Sequence, residues 1–217
     1  MPRTGRGTRR GTGPGSDAAT GRALAQELLE KRAAAAPPGA GPDVWLAFAE
    51  HIRSRAHDGR PLPVPAPPAL RLCHPRGWIR EAALAEPEAP VELVAVLTAD
   101  WAAPVRDRAR ARMERTLHAR PQATLRAVTP LALRLGRRHR GDWILERFQD
   151  ALRRQAQAAT PWWHLPAPPA AGGGESAPDG TTAAVLAGLL DSPDRQTRQF
   201  AVRLALAGPG RADAVEC

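Results

Sequence analysis

The chain contains no tyrosine, two cysteines and a single lysine, Lys31, among 217 residues. Each scarcity excludes something. Cys73 and Cys217 lie far apart and cannot form a disulfide framework or a cysteine metal site, so a reducing, cytoplasmic setting is expected. No apolar run approaches the roughly 20 residues that a membrane-spanning helix needs. Aromatic residues are few, and the apolar share is mostly Ala, Leu and Val, which suits closely packed helices better than sheets. With almost no lysine, the positive charge is carried by arginine: 31 Lys and Arg stand against 22 Asp and Glu, a net charge of +9 and a pI near 11.3. That excess suits attraction to a polyanion. Together with 23 prolines, it better suits the codon bias of a GC-rich genome, which raises arginine over the whole surface rather than on one face.

Arg9-Arg10 has the look of a twin-arginine signal, but Gly11 to Gly15 follows where an apolar segment is required, so no export is expected. Residues 1–19 are Gly, Arg, Thr and Pro with almost nothing apolar, and predict a disordered basic arm. Two N-terminal helices are expected within 20–58. The first runs from about Thr20 to Ala36 with Leu24, Leu28 and Leu29 on one face. The second is capped by Asp43, with Val44, Trp45, Phe48 and Ile52 at helical spacing. The proline-rich stretch 59–68 reads as a linker.

From residue 69 to 155 the pattern becomes one of short helical hairpins. His74-Pro75 and Pro104 open helices. Ile79, Ala82 and Ala83 give one buried face. Val105, Ala109, Met113 and Leu117 recur every four residues on another. Pro121 begins a further hairpin, with Pro130 inside its first helix and Asp142 capping its second; Asp150 and Arg154 make an i,i+4 pair there. Residues 156–180, rich in Trp, Pro and Gly, read as an insertion or linker. A last hairpin is expected over 181–207, with Val185, Leu186, Leu189 and Leu190 in its first helix and a tail over 208–217.

One box recurs through these units. Arg80–Ala83 (REAA), Arg106–Ala109 (RDRA) and Arg198–Ala201 (RQFA) each sit early in a helix, and the last two follow an Asp-containing turn at Asp100 and Asp191. The alanine lets neighbouring helices approach. The arginine can reach the carbonyls or the Asp of the turn and order it. Residues 121–155 carry no clean copy of the box. The segments HPRGWIREAAL (74–84), LTADWAAPVRDRARARM (97–113) and LLDSPDRQTRQFAVRLAL (189–206) resemble HEAT repeats of the variable bacterial kind. The resemblance implies an all-α fold, a right-handed superhelical stack of antiparallel helix pairs, an armadillo-like α-solenoid. Arg80, Ala83, Asp100, Arg106, Ala109, Asp191, Arg198 and Ala201 would be its structural repeat residues.

Catalytic motifs are scarce. Gly172-Gly173-Gly174 is followed by Glu175 and not by the Lys-Ser or Lys-Thr of a phosphate loop. There is no HExxH and no Cys/His spacing for zinc, so no metal, cofactor or catalytic residue is expected. Cys73 beside His74 reads as a buried thiol, because side chains of sequence neighbours diverge.

Candidate binding residues lie in what differs between units. Arg137, Arg138, His139 and Arg140 form a basic turn. Arg108 and Arg112 stand in the arginine-rich helix before it. A groove of such arginines would suit a phosphate backbone, although Asp107, Glu114, Glu146 and Asp150 interleave with them as on a solvated mixed face. Trp162 and Trp163 would either stack on a partner or pack against the preceding helix. Trp101 is expected to pack between hairpins. These features predict a non-catalytic scaffold that binds another protein. The alternative is a nucleic-acid-binding module resembling the alkylpurine DNA glycosylases. An uncapped last hairpin would also permit self-association or continuation into further units.

Overall fold

The computed structural model describes residues 14–30, 40–158 and 182–207. Among these every regular element is an α-helix, and there is no strand. The order is α1 (Pro14–Leu29), α2 (Pro42–His57), α3 (Pro68–Leu72), α4 (Gly77–Ala83), α5 (Val91–Leu97), α6 (Ala103–Ala119), α7 (Pro121–Leu135), α8 (Asp142–Ala158), α9 (Thr182–Leu190) and α10 (Arg195–Ala207). The all-α expectation is therefore met.

Consecutive helices pair: α1 with α2, α3 with α4, α5 with α6, α7 with α8 and α9 with α10. The first members of the later pairs also pack in series, α3 on α5, α5 on α7 and α7 on α9, while α4 packs on α6. The first hairpin lies across this series, with α2 touching both α5 and α7. Proline at the first or second position of α2, α3, α6 and α7 starts each where its missing N–H costs nothing.

One continuous apolar core runs through the series. Trp45, Phe48 and Ile52 of α2 are buried against it, each contributing about 1.5–3 kcal/mol by leaving water. Val105, Ala109, Met113 and Leu117 are all buried, as the four-residue stripe of α6 requires. Two glycines are fixed by close approach. A Cβ on Gly21 would stand 2.3 Å from the Val44 carbonyl oxygen, where α1 crosses α2. One on Gly141 would stand 1.7 Å from the Leu135 carbonyl oxygen in the turn before α8.

Several boundaries differ from expectation. Helix α1 begins at Pro14, not near Thr20, so the last residues of the expected basic arm are helical; residues 1–13 lie outside the described set. The N-cap of α2 is Gly41, and Asp43 sits inside the first turn, where it meets the positive end of the helix dipole. Helix α8 runs to Ala158, past the expected break at 156. Ala82 and Leu190 are exposed, and Leu84 takes the core place expected of Ala82. Asp150 pairs with Arg153 at 2.8 Å rather than with Arg154. Trp101 does not pack between hairpins: it is 72% exposed.

Candidate functional site

The recurring arginine acts the same way in all three boxes. It reaches back over the turn that precedes its own helix and donates to the main-chain carbonyl six residues earlier, and in Arg80 and Arg198 also to the one five residues earlier. Arg80 Nη1 donates to the carbonyl oxygens of His74 (2.6 Å) and Pro75 (2.8 Å). Arg198 Nη1 does so to Ser192 (2.6 Å) and Pro193 (2.8 Å). Arg106 Nη1 reaches the carbonyl of Asp100 at 3.1 Å. Ala83, Ala109 and Ala201, three residues on, are fully buried.

Asp100 joins two units. Its Oδ1 accepts from Arg80 Nη2 at 2.8 Å and from the Ala102 amide at 2.9 Å, the latter at the N-terminus of α6. Both side chains of this ion pair are buried. In the last turn the tying carboxylate is Asp194 and not Asp191. Asp194 Oδ2 accepts from the amide and hydroxyl of Thr197 at 2.8 and 2.7 Å. Thr197 is buried, so the polar residue at the usual valine position is satisfied locally. Asp194 also accepts from Arg134 Nη2 at 3.0 Å, and the same nitrogen donates to Asp43 at 3.1 Å. Arg134 thereby ties the first hairpin to the last, a link with no signal in the sequence.

The arginines proposed from sequence as a groove are engaged internally. Arg112 donates to the carbonyls of Leu84, Glu86 and Pro87, which closes the end of α4. Arg110 donates to the Thr98 carbonyl and lies 5.0 Å from the ring centre of Trp143. Desolvation, then a like-charged neighbour, lowers the pKa of each. Arg108 pairs with Glu81 at 3.2 Å on the surface.

The basic turn behaves differently. Arg137, Arg138, His139 and Arg140 are all exposed. They diverge. Arg137 lines a groove with Leu145 and Phe200. Arg138 lines another with Arg22, Glu50 and His51. Arg140 turns toward the preceding unit and donates to the Trp101 carbonyl at 3.1 Å. Its φ is +67°, the left-handed region that favours glycine. No continuous line of cations results. Trp162 and Trp163 lie outside the described residues.

Sequence reasoning missed the exposed tryptophans. Trp78 is 66% and Trp101 72% exposed. Trp101 lies over the buried Arg80, with its ring centre 5.6 Å from the guanidinium carbon. The two turns abut, since a Cβ on Gly77 would stand 3.7 Å from Ala102 Cβ. The signal available was the turn chemistry itself: a Trp directly beside a Pro- or Asp-bearing turn has little core to enter.

Cys73 is buried, and desolvation pushes its thiol pKa up to about 12, which suits a packing role and not a nucleophile. Among the described residues no three His, Cys, Asp or Glu side chains gather to hold a metal ion. No helix among them is long and apolar enough to cross a membrane. Comparison with known protein families, curated proteins and solved structures returns no match for this chain.

Proposed function

We propose that this chain is a non-catalytic, HEAT-like helical-repeat scaffold that binds another protein. On this reading the helix pairs form a right-handed solenoid whose units are held in register by the arginine boxes. The single observation that carries the proposal is where the arginines go. Arg80, Arg106, Arg110, Arg112 and Arg198 donate to backbone carbonyls, so these five arginines serve the fold rather than a partner. A helix-repeat surface freed from that role offers side chains that vary from unit to unit, which is how such arrays recognise protein partners.

The competing reading is a nucleic-acid-binding module. It needs a track of free cations that neutralises successive phosphates. The divergence of Arg137, Arg138 and Arg140 disfavours it. Affinity capture with the full chain, run beside titration of duplex and single-stranded oligonucleotides, separates the two. The scaffold reading expects a reproducible protein partner at stoichiometric yield. Saturable oligonucleotide binding that weakens steeply with salt, with no protein recovered, would overturn it.

A further inference from the structure

Helix α6 turns one face toward the loop that joins α4 to α5. Arg112, Arg115, Thr116 and Ala119 follow one another at steps of three, one and three residues, which places them on that face. Arg112 clamps the loop through its bonds to the carbonyls of Leu84, Glu86 and Pro87. Between loop and helix lies a groove of about 450 Å³, with Arg120, the residue between α6 and α7, also in its wall. Pro87, Ala89, Val91, Val94 and Ala119 give the groove its apolar surface. That volume falls in the range of small-molecule sites.

Among the described residues, arginines line this groove and no carboxylate does. Arg112 is spent on the loop. Arg115 and Arg120 are exposed, and among the described residues their guanidiniums bond to no carbonyl and no carboxylate. The carboxylates nearest along the chain are placed elsewhere. Glu86 is held by Arg71, Glu92 lines a separate groove with Trp45, and Glu114 stands 3.8 Å from Arg147. Glu88 is exposed in the same loop but outside the lining. After desolvation, the charge of Arg115 is the next cause that lowers the pKa of Arg112, so the two cations feel each other. Like charges gathered without a counter-ion repel, and an anion seated among them relieves that cost.

We infer that this groove is a binding site for a small organic anion, a carboxylate or phosphate borne on a short apolar group. The guanidiniums of Arg115 and Arg120 supply the N–H forks that match either head group. Arg112, fixed by the loop, adds a positive charge that does not move. The apolar group lies against Pro87, Val91 and Ala119. A phosphate backbone fits less well, because two free arginines are too few for the run of contacts that such binding uses. The site goes beyond the protein-scaffold reading and does not rest on it.

The test is calorimetric titration of the full chain, at constant ionic strength, with octanoate and octyl phosphate beside acetate and inorganic phosphate. At least one octyl compound should bind saturably, and the tighter of the two identifies the head group. Acetate and inorganic phosphate should bind about tenfold more weakly or worse, since they lack the apolar part. Arg115→Gln and Arg120→Gln should each weaken the octyl compound about tenfold, the size of a lost charged hydrogen bond. Arg108→Gln, on the same helix but paired with Glu81, should leave binding unchanged. Both groove arginines are exposed, so thermal unfolding of the unliganded variants should change little. No saturable binding of either octyl compound, or binding indifferent to Arg115→Gln and Arg120→Gln, would overturn the inference and leave the scaffold reading untouched. Equal binding of inorganic phosphate or acetate would overturn the amphiphilic class. An oligothymidylate strand that binds more tightly, and that the same two substitutions weaken, would overturn this inference and the scaffold reading together.

Discussion

Arg80 and Asp100 form a buried ion pair, Nη2 to Oδ1 at 2.8 Å, that fastens the second helix of one hairpin to the turn of the next. Arg80 is 1% exposed and Asp100 6%. The guanidinium is also bonded to two carbonyls of its own turn and covered by the Trp101 ring. Asp100 in turn receives the Ala102 amide. One arginine thus orders two consecutive turns. Removing either partner leaves the other charge in the core. Arg80→Ala is expected to cost about 3–5 kcal/mol of stability. Arg198→Ala removes an exposed copy of the same clip and should cost about 1 kcal/mol. Urea unfolding of the two variants checks the ratio, and equal losses would contradict the distinction.

Glu92 stands in the first turn of α5, where desolvation raises its carboxyl pKa and the bond to its own amide lowers it less. A carboxyl with a raised folded-state pKa contributes its stability below the unfolded value and loses it as pH rises through the folded value. At neutral pH the ionised side chain is therefore a cost. Glu92→Gln should raise the unfolding midpoint at pH 7, and the gain should vanish in mild acid. A gain independent of pH would count against the burial argument.

Cys73 should resist alkylation in the folded protein, because its thiol is buried and pushed up to about 12. With Cys217→Ser to remove the second thiol, iodoacetamide labelling of Cys73 should follow unfolding by urea. Rapid labelling of the native chain would show the site to be open.

Arg140 holds φ at +67° in the turn before α8. Arg140→Gly should relieve about 1 kcal/mol of backbone strain and raise the unfolding midpoint slightly, as thermal unfolding would show. A lower midpoint would mean that the bond to the Trp101 carbonyl outweighs the strain.

The repeating box was legible because its cause is local. An arginine five or six residues after a turn residue can reach that residue's carbonyl whatever lies beyond, and Arg80, Arg106 and Arg198 each do so. Apolar spacing likewise exposed the stripe of α6. What depends on distant chain was not legible. Arg134 joins Asp43 to Asp194, residues from opposite ends of the described fold. The carbonyl contacts of Arg112 span 25 to 28 residues, so it read as free surface charge. The first six residues of helix α1 hold no apolar stripe and so leave no periodic signal, and the close approach to α2 at Gly21 is a contact with distant chain. Position in the turn suggests that Trp101 packs between hairpins, whereas its place is a lid over Arg80, open on the other side.

The central claim is that the arginines of the repeated boxes and Arg112 of α6 order turns and that the exposed basic turn does not grip a polyanion. Fluorescence anisotropy of labelled duplex and single-stranded oligonucleotides, titrated with the full chain at physiological ionic strength, tests it most directly. The account predicts no saturable binding to either. Saturable binding whose affinity falls steeply with added salt, and falls again on Arg137→Ala with Arg138→Ala, would contradict it.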